Sequence, residues 1–201
     1  MKLALISVSN KQHILPLTKF LLKNDYNIIS TGGTYSHILN NLTPEDKDRI
    51  ISIENFTGFP EILDGRVKTL NPTIYGGLLY DKNNNTHVTD IETNNISPIS
   101  IIVVNLYPFK EVVNNSDSTE SDIIENIDIG GVSLLRAAAK NYKNVISLIN
   151  PDKYEYFIEH YSEIIHSDDF KKGLAAESFE HVTDYDALIT NYFSESTTYR
   201  K

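Results

Sequence analysis

Ile99-Ser100-Ile101-Ile102-Val103-Val104 is apolar at every position but one. A strand with one wet face alternates polar and apolar residues, whereas a strand covered on both faces is apolar almost throughout. The run therefore predicts a central strand of a parallel sheet with a helical layer on each side. The same pattern recurs outward from it. Leu3 to Val8 reads as a first buried strand, and Ile14, Leu17, Leu21 and Leu22 mark one side of a helix after it. Tyr26 to Ser30 is a second strand, ending in Thr31-Gly32-Gly33-Thr34. Ile50 to Ile53 is a third, and Val145 to Ile149 a fifth, stopped by Asn150-Pro151. Strands alternating with helices give the α/β class: three layers, α/β/α, around a mainly parallel sheet of about five strands.

Beyond Pro151 the pattern is helical only. Ala175, Phe179, Val182, Tyr185, Ile189 and Tyr192 recur at spacings of three and four, which makes an amphipathic stripe. The expectation is one domain, with an α/β core over 1–150 and a helical extension over 151–201 packed on it. The stretch from Asp81 to Ser97, with Asn83-Asn84-Asn85 inside it, reads mainly as loop with one short helix.

A chain of 201 residues is long enough for a substantial core, and 40% hydrophobic with 22% charged residues is ordinary for a globular protein. The absence of cysteine excludes disulfides, thiolate metal sites and a cysteine nucleophile. Met1 to Ile6 lack the features of a signal peptide and no apolar run is long enough to span a bilayer, so a cytoplasmic protein without a membrane partner is expected. A formal net charge of −9 speaks against nucleic acid as a partner, because such binding relies on Lys and Arg to neutralise phosphates. A phosphorylated small molecule needs only a local cluster of cations. Much of the acid falls in one segment, Glu111, Asp117, Glu120, Asp122 and Glu125, which reads as a solvated face.

Ligands of open α/β sheets bind beyond the carboxyl ends of the strands. The polar clusters at such ends are Ser7-Val8-Ser9-Asn10-Lys11, Thr31-Gly32-Gly33-Thr34 and Asn105-Leu106-Tyr107-Pro108-Phe109, joined by the loop Gly65-Arg66-Val67-Lys68-Thr69-Leu70. A further stretch, Asp128-Ile129-Gly130-Gly131, opens a helix that carries Arg136 and Lys140. Its glycines permit close backbone approach, and the N–H groups of a helix start favour an anion. Each cluster also has a plainer reading. The paired glycines serve ordinary turns, Lys68 and Arg66 suit a surface, Tyr107 suits a core, Asp128 suits a turn, and Arg136 with Lys140 suits a helix C-terminus. The six histidines show no ligand spacing, and no zinc motif, nucleophile elbow, P-loop or dinucleotide fingerprint is present.

The combination is more specific than its parts. Gly58-Phe59-Pro60-Glu61, Gly65 to Leu70, Asn105 to Phe109 and Asp128 to Asn141 occur in the order of one family. From about Leu3 to Phe193 the sequence resembles the IMP cyclohydrolase domain of the bifunctional AICAR transformylase/IMP cyclohydrolase of purine biosynthesis. The resemblance implies a methylglyoxal-synthase-like fold and dehydrative closure of FAICAR, the formylated imidazole carboxamide ribotide, to inosine monophosphate. It implies Lys68, Tyr107, Asp128 and Lys140 as catalytic residues. Substrate would be held by Ser9, Lys11, Thr31, Gly32, Gly33, Thr34, Arg66, Thr69, Asn105, Ile129, Gly130 and Gly131, the first eight of them around the 5′-phosphate. No metal or organic cofactor is called for, and a homodimer is the family habit.

Three departures stand out. Asn71 replaces the family's usual histidine, Tyr75 replaces a frequent second one, and Asn10 replaces an aspartate. The sequence given ends at Lys201, where the transformylase domain would begin, so the expectation is either a stand-alone cyclohydrolase supplied by a separate transformylase or an excised fragment of a longer protein. The alternative reading is a non-catalytic module of the same fold that binds a purine nucleotide or another phosphorylated metabolite.

Overall fold

The computed structural model describes residues 2–196. In chain order its elements are β1 (Lys2–Val8), α1 (Ile14–Lys23), β2 (Tyr26–Ser30), α2 (Gly32–Asn40), α3 (Pro44–Lys47), β3 (Ile50–Ser52) and α4 (Ile53–Thr57). There follow α5 (Pro72–Leu79), α6 (Asn85–Thr93), β4 (Ile101–Asn105), α7 (Phe109–Asn114), α8 (Glu120–Glu125), α9 (Gly130–Lys140) and β5 (Ile146–Leu148). The chain then turns helical, through α10 (Tyr154–Glu159), α11 (Tyr161–Ile164) and α12 (Asp168–Ser196). The last five residues of the expected helical extension lie outside the described residues.

The strands form one five-stranded sheet in the order β3-β2-β1-β4-β5, with every pairing parallel. Ala4 stands beside Ile28 on one flank and Ile101 on the other, which fixes the register of the three central strands. Alternate residues of β1 then feed two separate apolar layers. Leu3 and Leu5 join Ile29, Ile102 and Val104 under α5, α9 and α12, with Leu134, Leu135 and Val182. Ala4, Ile6 and Val8 join Ile28, Ile101 and Val103 under α1 and α10, with Leu17, Leu21 and Phe157. Both faces of the sheet are thus covered, which is why the Ile101–Val104 run carries no polar residue. Truncating a fully buried leucine such as Leu17 to Ala costs about 2–5 kcal/mol in such a layer.

Some boundaries differ from the sequence reading. β4 begins at Ile101 and not at Ile99, and β5 is confined to Ile146–Leu148. Ile53 belongs to α4 and not to β3, because the Ser52 hydroxyl accepts the Asn55 N–H at 3.2 Å and starts a helix there. The short helix expected between Asp81 and Ser97 is α6, capped by the Asn84 side chain on the N–H groups of Thr86 and His87. In α12 the side chains of Ala175, Val182 and Tyr185 are buried as the stripe predicts, and the helix packs along α9 and β5. Among the described residues no helix is long and apolar enough to cross a membrane.

Candidate active site

The strand order reverses at β1: the chain first moves outward through β2 and β3, then returns to build β4 and β5 on the other side. A crevice opens at the carboxyl ends of the strands at such a switch point. Here it measures about 530 Å³ and is walled by the segments that follow β1, β2 and β4, by the Asp64–Thr69 loop and by the start of α9.

The wall after β1 and β2 is stitched together before any ligand arrives. Ser7 and Thr31 share a hydroxyl hydrogen bond of 2.8 Å, and the Thr34 hydroxyl donates to the Val8 carbonyl at 2.9 Å while accepting the Val8 N–H at 3.2 Å. Gly32 sits at φ +37° at the first position of α2, so the helix start faces the crevice with its N–H groups free of helical partners. The Lys68 ammonium lies over this start, 3.4 Å from where a side chain on Gly32 would begin. Gly65, at φ +90°, leaves the space in which Lys68 runs; a Cβ there would meet Nζ at 2.7 Å. Lys11 also borders the crevice, its ammonium donating to the Ser9 carbonyl at 3.3 Å.

Each of the two cations of the Gly65–Thr69 loop is held by a carboxylate. Lys68 Nζ lies 3.0 Å from Glu61 Oε1, and Arg66 bonds Glu125, whose carboxyl it holds below the usual carboxylate range. Both pairs are partly solvated, and exposed ion pairs hold their partners weakly, so either cation can exchange its carboxylate for another anion. Glu125, expected on a solvated acidic face, is exposed and also borders the crevice, since α8 ends at the crevice mouth.

The opposite wall is made by the start of α9. Asp128 Oδ1 accepts the Gly131 N–H at 2.6 Å, and the Tyr107 N–H also faces the carboxyl. Burial raises the Asp128 carboxyl above its ordinary value, and the two amides only partly oppose that rise. A side chain on Gly131 would strike Asp128 Oδ2 at 2.6 Å and Leu106 at 2.8 Å, and one on Gly130 would strike the Thr69 hydroxyl at 2.6 Å. The paired glycines therefore let the carboxylate and the buried Thr69 press directly against the helix start. Tyr107 stands half exposed at the rim.

The structure thus brings Lys68, Tyr107 and Asp128 to one crevice with Ser9, Lys11, Thr31, Gly32, Gly33, Thr34, Arg66, Thr69, Asn105, Ile129, Gly130 and Gly131. Lys140 is not among them. It is the exposed last residue of α9, and a helical rise of about 1.5 Å per residue carries it roughly 15 Å from Gly130. Within the single chain the helix that starts beside Asp128 carries Lys140 away from the crevice. Asn105 borders the crevice, yet its amide already accepts the N–H groups of Ser9 and Asn10 at 2.7 and 2.9 Å and donates to the Asn10 carbonyl at 2.8 Å. Its work is to fix the loop after β1. Asn71 caps α5 by accepting the Thr73 N–H at 2.9 Å, a task asparagine performs well. Tyr75 packs beneath α9 with a buried hydroxyl near Asp128 and Ser133, and burial pushes that phenol up.

Sequence reasoning missed Glu61 and Glu125 as partners of the crevice cations, and Tyr185, which it placed in an apolar stripe. Tyr185 does bury its ring, but its hydroxyl accepts the Asp128 N–H at 2.8 Å and donates to the Asn126 carbonyl at 2.9 Å. A polar-tipped aromatic within an apolar stripe was the signal available.

A crevice at the reversal point of a five-stranded parallel sheet, with two glycine-opened helix starts facing it, matches a defined class. Residues 13–133 match the family model described as "MGS-like domain", and the chain belongs to that family. Residues 138–201 match a second model, "AICARFT/IMPCHase bienzyme". The chain is 45% identical over 199 residues to the "Bifunctional purine biosynthesis protein PurH" of Macrococcus caseolyticus, covering 98% of this chain and 39% of that protein. The protein of the same name from Oenococcus oeni is 47% identical, with 97% and 37% covered. The chain therefore spans about two fifths of the length of these relatives. Among solved structures, ForH superposes with a TM-score of 0.81 at 28% identity, covering 96% of this chain and 98% of that one.

Proposed function

We propose that the chain is a purine-biosynthesis enzyme that closes FAICAR to inosine monophosphate with loss of water, acting as one cyclohydrolase unit. The observation that carries the reading is the placement of Asp128, Tyr107 and Lys68 around a single crevice that also holds two helix starts and a cluster of hydroxyls. The names of the relatives support the pathway, and the geometry supports the reaction.

The carboxamide nitrogen of the substrate attacks its own formyl carbon, so fixing one rotamer supplies much of the acceleration; effective molarities of well-oriented cases reach ~10⁵ M or more. The amide nitrogen is a poor nucleophile until it loses a proton. Asp128, whose raised carboxyl affinity suits proton transfer, takes that proton. The formyl oxygen gains charge as the carbinolamine forms and is met by the N–H groups at the Ile129–Gly130 start of α9, each donor of this kind contributing about 10²–10³ in rate. Tyr107 and Lys68 position the reacting groups and protonate the oxygen to the carbinolamine hydroxyl. Loss of the formamide N–H proton then forms the ring C=N as that hydroxyl, protonated in turn by the proton Asp128 took up, leaves as water. Ser9, Lys11, the Thr31–Thr34 turn, Arg66 and Thr69 hold the 5′-phosphate. Closure yields an aromatic pyrimidinone, which drives water loss without a cofactor. Lys140 has no step in this scheme.

The test is incubation of the purified chain with FAICAR, with inosine monophosphate followed by chromatography. Formation of product supports the enzyme; tight binding without turnover favours a non-catalytic nucleotide-binding module.

A further inference from the structure

Asp128 does not hold its own place. The segment that carries it, between the end of α8 and the start of α9, has no regular structure, and its nearest anchors are local: the Ile127 N–H bonds the Ile124 carbonyl, and the carboxylate caps Gly131. Neither contact ties the loop to the rest of the fold. The Tyr107 N–H faces the carboxyl from the loop after β4, and the backbone of the Asp128 segment is tied at long range by the C-terminal helix. The Tyr185 hydroxyl is inserted between the Asn126 carbonyl and the Asp128 N–H, donating to one and accepting from the other. Its ring meanwhile packs edge-on against Phe109, with centroids 6.1 Å apart, and Tyr192 flanks the same phenylalanine one further turn pair along α12 at 6.0 Å. Phe109 is two residues past Tyr107.

We infer that Tyr185 is a positioning residue of the active site, which sets the spacing of Asp128 and Tyr107 by gripping both of their loops from α12. The inference rests on the cyclohydrolase reading for its catalytic consequence, but not for its geometry. Two loops that follow different strands must present a carboxylate and a phenol to one substrate, and an error of about 1 Å in such a pair costs roughly a hundred-fold in rate. A single rigid side chain with two rotatable bonds satisfies both loops at once. The hydroxyl is well suited to remain a donor and acceptor, because burial pushes its pKa up to about 12 and keeps it protonated at neutral pH. The same arrangement explains why the helices after residue 151 belong to the site although none of their side chains lines the crevice.

The experiment compares the full chain with Tyr185→Phe, which keeps the ring and removes only the hydroxyl, and with Tyr161→Phe as a control. Tyr161 is a second tyrosine whose hydroxyl bonds Tyr26, away from the crevice. Steady-state turnover of FAICAR and NMR amide exchange of Asp128 are read in each. Tyr185→Phe is expected to lower kcat about ten-fold or more with KM within about three-fold, because the phosphate loops are untouched. The Asp128 amide should exchange at least about ten-fold faster while those of β1 and β4 do not change. Tyr161→Phe should alter neither reading. Unchanged kcat in Tyr185→Phe, with an active wild type, overturns the assignment whatever the exchange shows. Should the wild type form no product, the proposed reaction falls and exchange alone decides: an Asp128 amide equally protected in both proteins overturns the inference. Should Tyr185→Phe not fold, the wild-type Asp128 amide decides it, since free exchange there means that Tyr185 does not pin the loop.

Discussion

Asp128 and Gly131 are joined by a 2.6 Å hydrogen bond in which the carboxylate caps the very helix whose N–H groups are assigned to the reacting oxygen. One residue is therefore both the proposed base and an acceptor for the first turn of α9. The two roles separate in Asp128→Asn, because an amide oxygen still accepts from Gly131 but cannot ionise. The folded-state pKa of Asp128 is raised by burial above its ordinary value of 3.8, so folding favours its protonated form. The stability linked to it is complete below the unfolded value and is lost as pH rises through the folded value. The Asn variant escapes that loss. Its melting temperature relative to wild type should climb with pH across this window and stay level above it, as scanning calorimetry at several pH values will read. A relative melting temperature that falls with rising pH would show that the carboxylate stabilises the loop.

The same shift sets the acid limb of activity. A base must be ionised to accept a proton, so turnover should fail as pH drops through the raised Asp128 value, with a midpoint above the ordinary value of 3.8. Turnover that stays flat down to that value would remove Asp128 from the role of base.

Glycine positions give a paired test of packing. At Gly131 an added methyl would meet Asp128 Oδ2 and Leu106, so Gly131→Ala should cost about 1–3 kcal/mol and most of the activity. At Gly173, inside α12, nothing lies within 4 Å of the new carbon. Gly173→Ala should stabilise by about 0.5–1 kcal/mol through helix propensity and leave turnover alone. Equal effects at the two sites in chemical denaturation would contradict the packing assigned to α9.

The Arg66–Glu125 pair predicts a change in substrate affinity. Glu125→Gln removes the competitor for Arg66, and the guanidinium is then free to meet the 5′-phosphate. KM for FAICAR should fall about two- to five-fold at low salt, with kcat unchanged and the gain shrinking as ionic strength rises. A raised KM would mean that Glu125 itself contacts substrate.

The layers and the strands were legible because burial on both faces writes itself as unbroken apolar runs such as Ile101 to Val104. The crevice loops after β1, β2 and β4 were legible because they fall where those runs stop. The place of Lys140 was not legible from spacing: it is twelve residues from Asp128 in sequence, but α9 carries it to the far end of the helix within one chain. Ile53 was misassigned because a serine cap outweighed β propensity at one residue. The partners Glu125 of Arg66 and Tyr185 of Asp128 lie 59 and 57 residues away, and only the folded chain brings them together.

The most direct measurement of the central claim is the rate of inosine monophosphate formation at saturating FAICAR by the wild-type chain and by Asp128→Asn, with FAICAR binding measured alongside. The account predicts product from the wild type, similar binding by both proteins, and turnover slower by about a hundred-fold or more in the variant. Equal turnover in the two proteins, or binding by the wild type with no product at all, would contradict it.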